Sequence, residues 1–359
     1  MLTIADTPDA LTPEWLTAAL TASGTLSGAR VVAADVRPLG TGQMCDSVRI
    51  HLRYDAPYAG PASLVAKLPA ADEGSRATAI AFRSYEKEVR FYQELADRLP
   101  VRTPRLHYAD LDVATASFVL LLEDLAPAEP GDQLQGCGTD VAAAAVAELV
   151  NLHAPLWGDP ALRQLDWLHG DPEGRGALLR EVLPMLWAGF QERYAASLEP
   201  HVKQAGDLYF GAMAFGRLGS RHQDDRPVTV THVDYRLDNL LIDPDGVVTV
   251  VDWQTCGTGN GPSDVAYFLG AGLAPEVRRE AEVRLVRGYH DGLVAAGVTG
   301  YDWADCWLDY RRGTWSGLSM AVLASMSVKR TDRGDAMFLA MAERHARHAL
   351  DLDAADLLT

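Results

Sequence analysis

Within thirteen residues the segment THVDYRLDNLLID, 231–243, places a histidine, three aspartates and an asparagine, and it ends in an apolar run. Carboxylate and amide oxygens are hard donors suited to Mg²⁺, which completes its shell with water and phosphate oxygens. Another carboxylate, Asp252, closes the stretch NLLIDPDGVVTVVDW, where the turn signal DPDG separates two apolar runs. A hairpin returns the chain to its starting edge. Asn239 at its beginning and Asp252 at the end of its second strand are therefore expected to lie close together as a magnesium pair. Asp234, five residues before Asn239, would stand beside the cation without binding it. Phosphoryl transfer needs a carboxylate there to orient a hydroxyl and accept its proton late in the reaction.

Upstream, LGTGQMCDSVRI supplies Gly40 and Gly42 in a strand–turn–strand setting, where backbone N–H groups can approach phosphate oxygens. Lys67, in LVAKLP, puts an ammonium inside an apolar strand, which is costly without a partner. Glu88 on the following helix is the natural one, and such a pair would aim Lys67 at α- and β-phosphates. Taken singly, each feature has an ordinary explanation: a hairpin turn, a lysine that snorkels from an edge strand, a solvated glutamate, polar residues in a loop. Their order along the chain favours nucleotide chemistry. It runs glycine turn, strand lysine, helix glutamate, the apolar strand LLLEDL, H-x-D-x-x-x-x-N, then an aspartate after a hairpin.

The elements that must position these residues are legible as patterns. Thr12 and Pro13 open a short amphipathic helix over 12–22. Val48, Ile50 and Leu52 alternate with Arg49, His51 and Arg53 on a strand. Residues 82–99 show helical apolar spacing at Phe82, Tyr85, Val89, Tyr92, Leu95 and Leu99, and 106–125 read as a hairpin. After the connector PAEPGDQLQGCG the chain turns helical, with helices expected over 139–155, 174–196, 200–218, 263–272, 275–296, 302–328 and 335–352. A small strand-rich lobe thus precedes a larger helical one, an α+β arrangement.

A chain of 359 residues has room for two such lobes. The formal charge of −17 disfavours nucleic acid or an anionic membrane as a partner, and no obligate protein partner is evident. The N-terminus lacks a signal-peptide pattern and no long unbroken apolar run occurs, so a cytoplasmic location is expected. Cys45, Cys137, Cys256 and Cys306 are too scattered for a zinc site and read as free thiols.

The segments YEKEVRFYQEL, LLLEDL, NLHAPLW, HVDYRLDNLL, VVDWQTCGTGNGPSDVAYFL and RGDAMFLAMAERH resemble the aminoglycoside phosphotransferase and choline kinase superfamily, and most closely its ecdysteroid-kinase-like branch. The resemblance spans roughly residues 30–350. It implies a two-lobed protein-kinase-like fold, with one main helix in the small lobe. Its nucleotide-binding lobe would cover 1–122, its hinge 123–127 and its acceptor-binding helical lobe 128–359. The implied function is ATP- and Mg²⁺-dependent phosphorylation of a small-molecule hydroxyl. A lipophilic alcohol is the leading acceptor, and an aminoglycoside, another antibiotic or a choline-like amino alcohol the alternatives. A catalytically inactive nucleotide-binding scaffold is the reading of another class.

Carried over by residue, Lys67 would hold the phosphates and Glu88 would fix it. Gly40 and Gly42 would line the phosphate turn, and Glu123 and Leu125 would meet adenine through the hinge backbone. Asp234 would be the catalytic base, with Asn239 and Asp252 holding Mg²⁺. His232 and Asp264 would support the loop, His153 would pack within the helical lobe, and Arg236 and Asp238 carry no assigned role. Two departures from protein kinases stand out. Cys45 occupies the place of a third loop glycine, and eleven residues between Asp252 and Asp264 are too few for a segment that docks a protein substrate.

Overall fold

The computed structural model describes residues 2–40, 44–57, 59–169, 172–214 and 226–358, with the backbone alone at 169 and 172–179. The chain divides into two compact units. One comprises Met1–Arg98, Thr103–Pro127 and Val251–Thr255, the other Leu99–Arg102, Ala128–Val250 and Cys256–Thr359.

The first unit is built on an antiparallel sheet of β1 (Val31–Pro38), β2 (Cys45–Tyr54), β3 (Ser63–Pro69), β4 (Leu106–Asp112) and β5 (Ser117–Glu123), in the order β1-β2-β3-β5-β4. Helix α1 (Pro13–Ala22) starts where the Thr12 hydroxyl accepts the Trp15 N–H at 3.2 Å. It buries Leu16, Ala19 and Leu20 in one cluster with Val48, Ile50 and Leu52 of β2 and Leu64, Ala66 and Leu68 of β3. Strand alternation then turns Val65 and Lys67 to the opposite face of the sheet.

The stretch expected as one helix over 82–99 is more broken. Phe82 is 42% exposed and Arg83 has φ 55°, so the α-helix α3 covers only Ser84–Arg90. A π-helical turn at Phe91–Leu95 and a 3₁₀ turn at Ala96–Arg98 follow. A further helix, α2 (Glu73–Ala81), buries Ala79 alone, so it leaves no apolar period in the sequence. Asp72 caps it by accepting the Ser75 N–H at 2.8 Å.

The second unit contains α4 (Thr139–His153), α5 (Asp166–His169), α6 (Pro172–Arg193), α7 (Pro200–Ala214), α8 (Pro262–Gly272), α9 (Pro275–Ala295), α10 (Trp303–Ser327) and α11 (Asp332–Asp351). Each expected helix is present within a few residues, and positions 215–218 of the third lie outside the described residues. Trp187, Phe190, Phe210, Trp315 and Phe338 form its core, and Tyr209 stacks on Trp315 at 5.1 Å. Helix α10 approaches α11 closely at Gly317, where a Cβ would fall 2.0 Å from the His345 ring.

Short strands complete the unit: β6 (Glu129–Pro130), β7 (Thr229–Thr231), β8 (Leu240–Ile242), β9 (Val248–Val250) and β10 (Gly257–Gly259). β8 and β9 form the expected hairpin, pairing Leu240 with Val250, and β7 pairs with β10. Asp243 organises the turn by accepting the Asp245 and Val247 N–H groups through Oδ1, at 2.9 and 2.8 Å. The second strand ends at Val250, two residues short of the expected end at Asp252, and the segment Val251–Thr255 belongs to the first unit.

Candidate active site

In the first unit, Lys67 lies on β3, the central strand of the sheet and not an edge. Its Nζ donates to Glu88 Oε1 at 2.5 Å and to Asp252 Oδ1 at 2.8 Å, with only 11% of the side chain exposed. Burial works against the ammonium, but Asp252 and Glu88 outweigh it and raise the pKa well above the usual lysine range. Asp252, at φ 68°, also accepts Gln254 Nε2 through Oδ2 at 3.1 Å. The next residue, Trp253, is fully buried and stacks on Phe91 with ring centroids 3.7 Å apart. The π-helical turn after α3 thus carries the ring that anchors the Asp252 segment.

The remaining first-unit candidates surround this cluster in sequence. Gly40, just past β1, has φ +70°, a conformation that favours glycine, and Gly42 lies outside the described residues. Cys45 opens β2 with its thiol buried, and burial pushes its pKa up to about 12. Glu123 ends β5, exchanging backbone and side-chain bonds with Arg105. Asp124 is ion-paired with Arg49, whose Nη2 donates to Oδ1 at 3.0 Å while its Nε lies 2.9 Å from Oδ2, and Leu125 follows in the turn.

In the second unit, the loop after β7 is held mainly through its backbone. Asp264, in the first turn of α8, accepts the His232 N–H at 2.6 Å and the Val233 N–H at 3.0 Å. Its Oδ2 also lies 3.4 Å from His153 Nε2, and His153 Nδ1 meets the Tyr289 hydroxyl at 2.8 Å. Val233 adopts φ 72°, which costs a β-branched residue on the order of 1–2 kcal/mol. The two bonds to Asp264 sit at that strained position and hold it. Farther along, the Tyr235 hydroxyl donates to the Ala145 carbonyl at 2.8 Å, and Gln133 Oε1 accepts the Leu237 N–H at 2.9 Å. The His232 ring meets Tyr235 edge-on at 5.7 Å.

This scaffold fixes Asp234. Asn239 Nδ2 donates to the Asp234 carbonyl at 2.9 Å and to its Oδ2 at 3.1 Å, and Arg236 Nε reaches the same Oδ2 at 3.2 Å. Arg236 Nη1 bonds Asp238 Oδ2 as well. Burial disfavours the Arg236 charge, yet Asp234 and Asp238 outweigh it and raise its pKa. On the other side, the Tyr267 hydroxyl donates to Asp234 Oδ1 at 2.6 Å. Tyr267 and Gln133 are site residues that no motif in the sequence singles out. Tyr267 did leave a signal, because it follows Asp264 by one helical turn and so shares its face of α8.

A sheet unit with a buried Lys–Glu pair and a helical unit with an H-x-D-x-x-x-x-N loop define a mixed α+β, protein-kinase-like fold. The phosphotransferase enzyme family matches residues 59–307, and the chain belongs to that family. It is a small-molecule phosphotransferase acting on hydroxyl groups. Its fold is similar to that of a choline kinase from Cryptosporidium parvum, with TM-score 0.54, 12% identity and 93% of each chain covered. It is also similar to an ethanolamine kinase from Plasmodium vivax, with TM-score 0.52 and 9% identity over 88% of this chain and 82% of that one. The GDP complex of aminoglycoside 2′-phosphotransferase-IIIa gives TM-score 0.52 and 13% identity over 88% and 94%. At these identities the likeness is one of fold. No curated protein sequence matches the chain. Among the described residues, no helix is long and apolar enough to cross a membrane.

Proposed function

We propose that the protein transfers the γ-phosphoryl group of ATP, in the presence of Mg²⁺, to a hydroxyl of a lipophilic alcohol, as in the ecdysteroid-kinase-like branch. The observation that carries the transfer chemistry is the fixation of Asp234 by Tyr267, Arg236 and Asn239 on a loop whose strained turn Asp264 holds. Asp234 orients the acceptor hydroxyl and takes its proton. Lys67, kept charged and held by Glu88, meets the α- and β-phosphates, with Gly40 and Gly42 in the phosphate turn and the backbone at Glu123 and Leu125 against the base. His232 and Asp264 are supports. The intact set of Lys67, Asp234, Asn239 and Asp252 favours turnover over an inactive scaffold.

Asn239 and Asp252 suit Mg²⁺ by the chemistry of their donors. Among the described residues, the Asn239 side chain bonds only through its NH₂ group, so its amide oxygen is the atom offered to a cation. Asp252 adds a carboxylate, and Mg²⁺ asks for few protein ligands beyond such a pair. When bound, the ion supplies charge neutralisation to the phosphates.

Two features support an apolar acceptor. Tyr267 and Met337 belong to the apolar cluster around Trp187, Phe190 and Trp315. Tyr267 touches Asp234, and the Met337 sulfur lies 3.1 Å from Arg236 Nη1. The nearby carboxylate Asp238 is paired with Arg236 and lies 3.7 Å from Arg333, so it is already neutralised and suits a polycationic aminoglycoside poorly. The test is a mass-spectrometric screen with ATP and Mg²⁺ for addition of one phosphate to sterols, hydroxyacyl compounds, aminoglycosides and amino alcohols. Phosphorylation of a lipophilic alcohol is expected. Turnover confined to aminoglycosides or choline-like compounds would overturn the acceptor class.

A further inference from the structure

The Asp234 carboxylate has about four acceptor positions, two on each oxygen. Oδ2 has two donors, Arg236 Nε and Asn239 Nδ2. Among the described residues, Oδ1 has Tyr267 alone. The fourth position, on Oδ1, is thus the one at which an incoming hydroxyl can bond Asp234 without displacing an existing partner.

We propose that Tyr267 is a positioning residue for phosphoryl transfer: its hydroxyl, 2.6 Å from Asp234 Oδ1, sets the rotation of the carboxylate so that the attacking hydroxyl bonds this same oxygen. It rests on the phosphoryl-transfer function proposed above. In the step it serves, the acceptor oxygen bonds the γ-phosphorus of ATP. The bond from that phosphorus to the β–γ bridging oxygen breaks, its electron pair leaves with ADP, and the acceptor proton passes to Asp234 Oδ1. Tyr267 keeps its own proton throughout, because burial and then the Asp234 charge raise its pKa well above the usual tyrosine range.

The packing suits a fixed donor. Tyr267 is 2% exposed on α8, and the His345 ring of α11 lies behind it at 5.4 Å between centroids. Its ring sits within the core cluster of the second unit. A carboxylate held only by Arg236 and Asn239 would be gripped through one oxygen and could swing about it. The bond from Tyr267 to the other oxygen removes that freedom, which is the kind of orientation on which transfer rates depend steeply.

The test uses the full chain with ATP and Mg²⁺ and water as the acceptor, followed by phosphate release. Tyr267→Phe keeps the packed ring and removes only the hydroxyl. It is expected to lower kcat about tenfold, the size of a lost hydrogen bond to a charged group, with KM for ATP changed less than about twofold. Combined with Asp234→Ala, it is expected to lower the residual rate no further, because its effect passes through that carboxylate. A Tyr267→Phe enzyme as fast as the wild type would overturn the role. So would an equal loss in the Asp234→Ala background, the mark of a merely structural contribution. A wild-type protein that turns over no ATP with any acceptor would overturn the proposed function and this inference together, whereas an active wild type with an indifferent Tyr267→Phe sinks the inference alone.

Discussion

The two units secure their key side chains by opposite means. Around Lys67 the grip is charge: an ammonium on a central strand held by two carboxylates, one from α3 and one from the segment that Trp253 anchors on Phe91. Around Asp234 the loop itself is held through its backbone: Asp264 and Gln133 accept main-chain N–H groups on either side of it, with Val233 left-handed, and the carboxylate is then fixed by side chains. The cation proposed to hold the phosphates must be present and charged, which neighbouring carboxylates ensure even when burial opposes it. A carboxylate proposed to receive a proton must instead be placed to fractions of an ångström, and pinning the loop backbone keeps Asp234 where the Tyr267, Asn239 and Arg236 side chains can hold it.

The largest stability effect expected from breaking this contrast is at Asp264. Asp264→Ala leaves the N–H of the fully buried His232 and that of Val233 without their acceptor, at a cost of about 3 kcal/mol. Chemical denaturation should show the loss, together with a fall in turnover. Glu88→Ala is expected to cost less, about 2 kcal/mol, since Lys67 keeps Asp252 as a partner. Its main effect should be weaker ATP binding, read by titration with nucleotide. If Glu88→Ala proved more destabilising than Asp264→Ala, the assignment of charge to one unit and backbone to the other would be reversed.

The smallest effect is expected at Val233. Val233→Gly relieves the left-handed strain but frees the unfolded chain, two terms of about 1 kcal/mol that oppose each other. Stability should therefore change by less than about 1 kcal/mol, because the side chain that is lost is exposed. A loss of several kcal/mol would mean that the Val233 side chain, and not the Asp264 bonds, carries the turn.

Much of this was legible in residue order. Helix α9 runs Pro275–Ala295 where 275–296 was expected, because its proline start and apolar spacing are strong signals. The α+β order of a strand-rich part before a helical one was visible for the same reason. Lys67 could be matched with Glu88 because an ammonium in an apolar strand demands a partner. Local departures were hidden. The π-helical turn after Arg90 carries Phe91, which stacks on Trp253, a ring more than 150 residues away that no local pattern announces. Helix α2 has almost no buried face to announce it. The donor from Tyr267 to Asp234 depends on how α8 is seated, which periodicity does not specify. Left-handed Val233 is the least legible of all, since valine is among the residues a sequence reading would place in a strand.

The most direct measurement pairs ATP turnover with nucleotide affinity in the wild type and Asp234→Ala, both with Mg²⁺. The account predicts that turnover falls by about 10²–10⁴-fold while ATP affinity stays within about twofold. Turnover that survives the substitution, or a variant that loses ATP binding along with activity, would contradict the assignment of Asp234 as the residue that receives the acceptor's proton.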